Sequence, residues 1–187
     1  MFVIGDIHGQ IEKATAALRR ASLINESSRW AGGESTLWFM GDYFDRGPDG
    51  IAAIDLIRAL QAQAAEAGGQ VGALLGNHDV LILAAQRLGD RPSSGPGGTF
   101  LASWRSNGGV QSDLDRLTVE RGAWLRSLPA MALAGDWLLA HADATFYQVY
   151  GRTIRGVNRA IRAILNSDDA ADWDLLLDYF SQRRAFQ

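Results

Sequence analysis

The chain is expected to adopt an α/β fold around a parallel sheet, on three observations. Residues 2–4, 36–40 and 71–75 are short apolar or β-prone runs that end in Gly-Asp, Gly-Asp and Gly-Asn, as buried parallel strands feeding loops do. Between them lie segments with helical spacing. Finally, the three strand ends recur at intervals of about 35 residues, the length of a βαβ unit, whose right-handed crossover returns each strand end to the same edge of the sheet.

Each element has its own local signal. After the first strand, Ile11, Ala14, Leu18 and Ala21 repeat at helical spacing. After the second, Pro48 suits a first-turn position, Ile51, Ile54, Ile57 and Leu60 line one face, and Gly68-Gly69 stop the helix. Residues 80–88 read as a third helix and 89–98, rich in Gly, Pro and Ser, as a loop. A short helix starts at 100–104 and ends at Asn107-Gly108-Gly109; another, at 119–128, is stopped by Pro129. Residues 130–134 and 137–140, separated by Gly135-Asp136, predict a hairpin that delivers His141 at a strand end. Further on, Arg152, Arg155, Arg159 and Arg162 share one face of an expected helix, with Val157, Ile161 and Ile164 opposite. Such a stripe is either a solvated face or an invitation to a counter-anion.

Composition narrows the function. At 187 residues and 47% hydrophobic content the expectation is one domain spanning 1–187, able to bury roughly 70% of the surface its unfolded form exposes. No apolar run is long enough to span a bilayer and no charged leader precedes the first strand, so a cytoplasmic protein without a membrane partner is expected. Cysteine is absent, which excludes disulfides, thiolate zinc sites and thiol catalysis and leaves oxygen and imidazole as metal donors. A net charge of −3 argues against nucleic-acid binding as the main activity.

The chemistry sits in GDIHG (5–9), GDYFDRG (41–47) and GNHD (76–79). Asp6 and His8, two apart in extended backbone, leave the same face and can share one ion; the alternative is a turn Asp and a surface His. Asp42 has two oxygens able to take separate metal bonds. Asn77 and His141 can supply an amide oxygen and an imidazole to a second ion, although Asn77 could equally cap the third helix. Two ions ~3.5–4 Å apart clamp a phosphoryl group and activate a water for in-line attack, so the reaction read from the donors is phosphoester hydrolysis. Arg46 is placed to hold phosphate oxygens. His78 is assigned as general acid, with Asp45 orienting its ring.

These motifs, with the HAD at 141–143, make the chain resemble the calcineurin-like metallophosphoesterases, in particular the phosphoprotein phosphatases and their bacterial Ser/Thr phosphatase-like relatives. That resemblance covers most of the chain. It implies an α+β four-layer fold, a β-sandwich flanked by helices. It also implies Asp6, His8 and Asp42 on one ion, Asp42, Asn77 and His141 on the other, two divalent or trivalent ions of Mn, Fe or Zn, Arg46 on phosphate, and Asp45 with His78 as the proton-donating pair. The implied substrate is a phosphorylated protein or a small phosphoester. The family carries a further histidine beyond the HAD-like segment, and here His8, His78 and His141 are the three histidines present. Two explanations follow: a C-terminally clipped domain lacking its last strands, which is the expectation, or completion of the site by Asp143. Arg184 is the match to a phosphate-contacting arginine ahead of the missing histidine. A symmetrical dinucleoside tetraphosphate hydrolase is the alternative enzyme, supported by the WLRxxP segment at 124–129 and opposed by Asp45. A metal-deficient binding or regulatory module is the non-enzymatic alternative.

Overall fold

The computed structural model describes residues 1–181. Three parallel strands, β1 (Phe2–Ile4), β2 (Thr36–Phe39) and β3 (Gln70–Ala73), lie in that order, with Phe2 opposite Leu37 and Leu37 opposite Val71. Crossovers α1 (Ile11–Arg20) and α2 (Gly50–Glu66) join them, and α3 (Asn77–Leu88) leaves the end of β3. All three strands therefore discharge their C-terminal loops at one edge, as the β-α-β-α-β reading required.

Alternation along β2 divides the interior. Leu37 and Phe39 point to the main core with Ile54, Ile57 and Leu60 of α2, while Trp38 points to the opposite face and packs with Leu74, Ala132 and Leu139. Those last two belong to the antiparallel hairpin β4 (Met131–Ala134) and β5 (Trp137–Ala140), paired Met131 to Ala140 and Ala134 to Trp137. A second, smaller sheet thus covers the other face of the parallel one. Room for the Trp38 indole comes from Gly72, where a Cβ would stand 2.4 Å from the ring. On the hairpin's outer side, Asn158 of α8 (Ile154–Leu165) accepts from the amides of Ala130 (2.9 Å) and Met131 (3.0 Å) and donates to the Met131 carbonyl (2.8 Å).

Helix α3 is buried on almost every side, because α4 (Phe100–Ser106) and α9 (Ala170–Ser181) pack against it. No helix among the described residues is long and apolar enough to cross a membrane.

Several local expectations are corrected. Helix α2 begins at Gly50 and is capped by Asp49, whose carboxylate accepts from Ala52 N at 2.8 Å, so Pro48 stands before the cap and not in the first turn. Helix α3 starts at Asn77 and not at residue 80, because Gly76 occupies the N-cap and Asp79 accepts its amide proton. Arg152 precedes Thr153, the cap of α8, and so drops out of the arginine stripe; Arg162 of that stripe donates to the Ser127 carbonyl (2.6 Å). Two short helices have no period long enough to read: α5 (Gln111–Arg116) and α7 (Tyr147–Tyr150). The expected helix at 119–128 is α6 (Val119–Ser127).

Helix α5 has a definite structural role. Its Asp113 is fully buried and accepts from Gly50 N (2.9 Å) and Ile51 N (3.2 Å), satisfying two orphan donors at the start of α2. Asp113→Ala leaves both buried amides unpaired, so urea denaturation is expected to show a loss of about 1–3 kcal/mol.

Candidate metal centre

Four loop segments at the strand ends build the site, and two of them are held in uncommon backbone. His8, Asp42, Asp45 and Arg46 have φ of 46°, 53°, 69° and 65°; among the described residues only Ser22 and Ser28 share this left-handed conformation without being glycine. Such geometry costs of order 1 kcal/mol or more per residue and persists only where surrounding bonds enforce it. Here the enforcing bonds are visible. The amides of Ile7 (3.1 Å) and His8 (2.9 Å) both donate to the Asp42 carbonyl, Gly9 N donates to Tyr43 O (2.8 Å), and Arg46 N donates to Gly108 O (2.9 Å). The loops approach so closely that a Cβ at Gly47 would lie 1.9 Å from the His8 carbonyl oxygen, and one at Gly76 2.3 Å from Asp42 N.

Asp79 locks this edge from below. Fully buried, it accepts from Asp42 N (3.0 Å), Tyr43 N (2.9 Å) and Gly76 N (2.8 Å), joining the loops after β2 and β3. Burial, and after it the charge of Asp42, pushes the Asp79 carboxyl well above the usual carboxylate range, against the pull of those three N–H groups.

Asp42 stands at the centre, 3% exposed, with its two oxygens turned to different partners. Oδ2 faces His8 Nε2 at 3.8 Å; Oδ1 faces His141 Nε2 at 3.5 Å and accepts from His78 N, at the start of α3, at 2.8 Å. Asp6 Oδ2 lies 3.9 Å from His8 Nε2, and Asn77 Oδ1 3.0 Å from His141 Nε2. Each metal-type histidine spends its Nδ1–H on a carbonyl, His8 on Phe44 O (2.8 Å) and His141 on Met40 O (2.8 Å), which leaves both Nε2 lone pairs turned inward. Around His141, lone pairs of an imidazole, an amide and a carboxylate therefore face one another with no proton between them. That donor set fits a cation. Two groups have ligand atoms that all lie within 4.8 Å of one another, Asp6 with Asp42 and His141, and His8 with Asp42 and His78; Asp42 is common to both.

Beside this cluster, Arg46 donates from one guanidinium nitrogen to His8 Nε2 (3.0 Å) and from another to His78 Nε2 (2.9 Å). His78, 2% exposed, donates from Nδ1 to Asp45 Oδ2 at 2.8 Å, and Trp104 Nε1 donates to Asp45 Oδ1 at 2.7 Å.

Asp6, His8, Asp42, Asp45, Arg46, Asn77, His78 and His141 are thus brought together at one edge. Asn77 is the first helical residue and Gly76 the cap, so the capping alternative for Asn77 is set aside. Asp143 is exposed and belongs to neither converging group. Arg184 lies outside the described residues. Two contributors carried no assignment in the sequence. Asp79 stood inside GNHD at the third position of a helix, a capping signal that could have been read, whereas Trp104 looked like any core tryptophan.

The chain is 36% identical over 81 residues to Shewanella-like protein phosphatase 2 of Arabidopsis thaliana, covering 43% of this chain and 21% of that one. To the symmetrical bis(5'-nucleosyl)-tetraphosphatase of Pectobacterium carotovorum it is 29% identical over 180 residues, 95% of this chain and 53% of that one. A crystal structure of the cold-active protein-tyrosine phosphatase of a psychrophilic Shewanella species superposes with a TM-score of 0.70 at 25% identity, covering 94% of this chain and 52% of that chain. The chain therefore spans about half the length of these relatives or less. The profile of the calcineurin-like phosphoesterases matches residues 1–184, and on that match the chain belongs to the calcineurin-like phosphoesterase family.

Proposed function

We propose that this protein hydrolyses phosphate monoesters with two metal ions, in the manner of the Ser/Thr protein phosphatase-like branch. The observation that carries the reading is the placement of Asp42, with one oxygen toward His8 and the other toward His141, whose Nε2 also faces Asn77 Oδ1. Asp6, His8 and Asp42 would hold one ion, and Asp42, Asn77 and His141 the other, with Mn, Fe or Zn suited to oxygen and imidazole donors. Bound there, such a pair supplies an acidified water and charge neutralisation at a phosphoryl oxygen.

The protein's own groups do the rest. The exposed Arg46 guanidinium orients the phosphoryl group with its forked donors. It rests on His8 and His78 Nε2, so phosphate oxygens compete for it, and its transfer to them frees His78 Nε2 to take up a proton from solvent and give it to the leaving oxygen. Asp45 accepts the hydrogen bond of Nδ1–H throughout and stabilises the imidazolium while Nε2 is protonated. A phosphorylated protein or small phosphoester in the cytoplasm is the proposed substrate. Hydrolysis of dinucleoside tetraphosphates is the second reading, favoured by the Pectobacterium relative that matches 95% of the chain. Turnover of a phosphopeptide against that of a bis(5'-nucleosyl) tetraphosphate separates the two.

Three substitutions separate the proposed metal sites. In calorimetric titration with Mn²⁺, Asp42→Asn is expected to weaken both ions and abolish hydrolysis, while Asp6→Ala and His141→Ala each weaken one ion chiefly. Unchanged binding in Asp42→Asn overturns the shared-ligand reading.

His78→Asn should leave both ions in place and slow alkyl phosphates by about 10²–10⁴-fold, with much smaller losses on aryl phosphates whose leaving groups need no proton. Equal losses on the two classes, measured as kcat, remove His78 from the proton-donor role.

A further inference from the structure

We infer that Trp104 is a positioning residue for the proposed proton donor, acting through Asp45; this rests on the reading of His78 as that donor. Trp104 and Asp45 are both completely buried, and the Asp45 carboxylate is held from two sides, by Trp104 Nε1 on Oδ1 (2.7 Å) and His78 Nδ1 on Oδ2 (2.8 Å). An indole N–H only donates. With the indole N–H on Oδ1, Oδ2 is left as the acceptor that faces the imidazole, and Arg46 donates to the ring from the other side, so the ring proton stands on Nδ1. Nε2 is then left as the atom that faces Arg46. With one strong donor on each oxygen, the carboxylate plane cannot rotate without breaking a buried charge-assisted bond.

The support reaches further than one bond. Asp45 and Arg46 sit at φ of 69° and 65°, and the segment that follows Trp104 holds them there, through Arg46 N on Gly108 O (2.9 Å). The indole is itself fixed in place: a Cβ at Gly109 would fall 2.4 Å from its ring. Helix α4 and its C-terminal turn thus hold both the partner of the proton donor and the backbone of the phosphate-binding arginine.

The test uses the full 187-residue chain and has a readout independent of turnover. In metal-free, ¹⁵N-labelled protein, His78 is expected in the Nδ1–H form and the Trp104 indole proton strongly downfield and slow to exchange. Trp104→Phe should mix the two His78 tautomers, and Asp45→Asn, which leaves the indole in place, should move the Trp104 resonance upfield. An unchanged tautomer in Trp104→Phe, or an unmoved indole resonance in Asp45→Asn should the first variant not fold, overturns the inference. In turnover, Trp104→Phe should lower kcat about tenfold on alkyl phosphates, with KM and aryl phosphate rates nearly unchanged, and should add nothing in the His78→Asn background. Equal losses on both substrate classes, or losses that add to those of His78→Asn, show a merely structural tryptophan. If the tautomer responds as expected and the chain turns over no phosphoester, the positioning stands and the enzymatic reading fails.

Discussion

The loops that carry Asp42, Asn77 and His78 are tied together by the Asp79 carboxylate, which accepts three backbone amides from two different loops in a place with no exposure to water. Strands β2 and β3 are neighbours in the sheet, but pairing ends with the strands; beyond them the chain needs another partner for its polar groups. Asp79 supplies it from the first turn of α3. The bond to Asp42 N fixes the residue that both ligand groups share, and the bond to Gly76 N fixes the start of the helix that carries Asn77 and His78. Burial, and after it the nearby charge of Asp42, raises the proton affinity of this carboxyl. A cation held at Asp42 would offset the part that comes from repulsion.

Rigidity and strain are divided between elements in a consistent way. Asn77 and His78 stand on the buried α3, whereas Asp6, His8, Asp42 and His141 lie in loops at strand ends, and the left-handed His8, Asp42, Asp45 and Arg46 belong to the loops after β1 and β2. Those loops are stabilised across one another as well as internally, since His8 and Gly9 donate into the loop after β2 and Arg46 donates to the turn after α4, beside the internal bonds from Gln10 N to Ile7 O and from Gly47 N to Asp45 O. Loss of any one segment would release the conformation of its neighbours. The arrangement suits a phosphoryl-transfer site, where positioning and fixed charge supply most of the effect.

Most of the fold was legible because its signals are local. Strand β1 is where the sequence put it, β2 and β3 agree to within one or two residues, and the hairpin β4–β5 follows its Gly135-Asp136 turn. The misplacements have physical reasons. Pro48 is compatible with a first turn, but Asp49 is the better cap; the start of α3 was hidden because Asn77, His78 and Asp79 read as motif and not as helix. Helix α5, six residues with no apolar period, exists because Asp113 is needed by α2, a demand that no window around residue 113 can display.

By itself the sequence determined which donor-type residues stand at the strand ends, the parallel direction of the strands that precede three of them and the family to which the chain belongs, because each of these is written in short motifs at fixed spacing along the chain. The tertiary structure decided how those donors are held: which oxygen of Asp42 meets which histidine, the tautomers imposed by Phe44 and Met40 carbonyls, and the roles of Asp79 and Trp104. Trp104 is 59 positions from Asp45 in sequence and reaches it only because α4 packs on α3. Hydrogen bonds between distant segments depend on where whole elements come to rest, and that is set by packing of the core, not by any local pattern of residues.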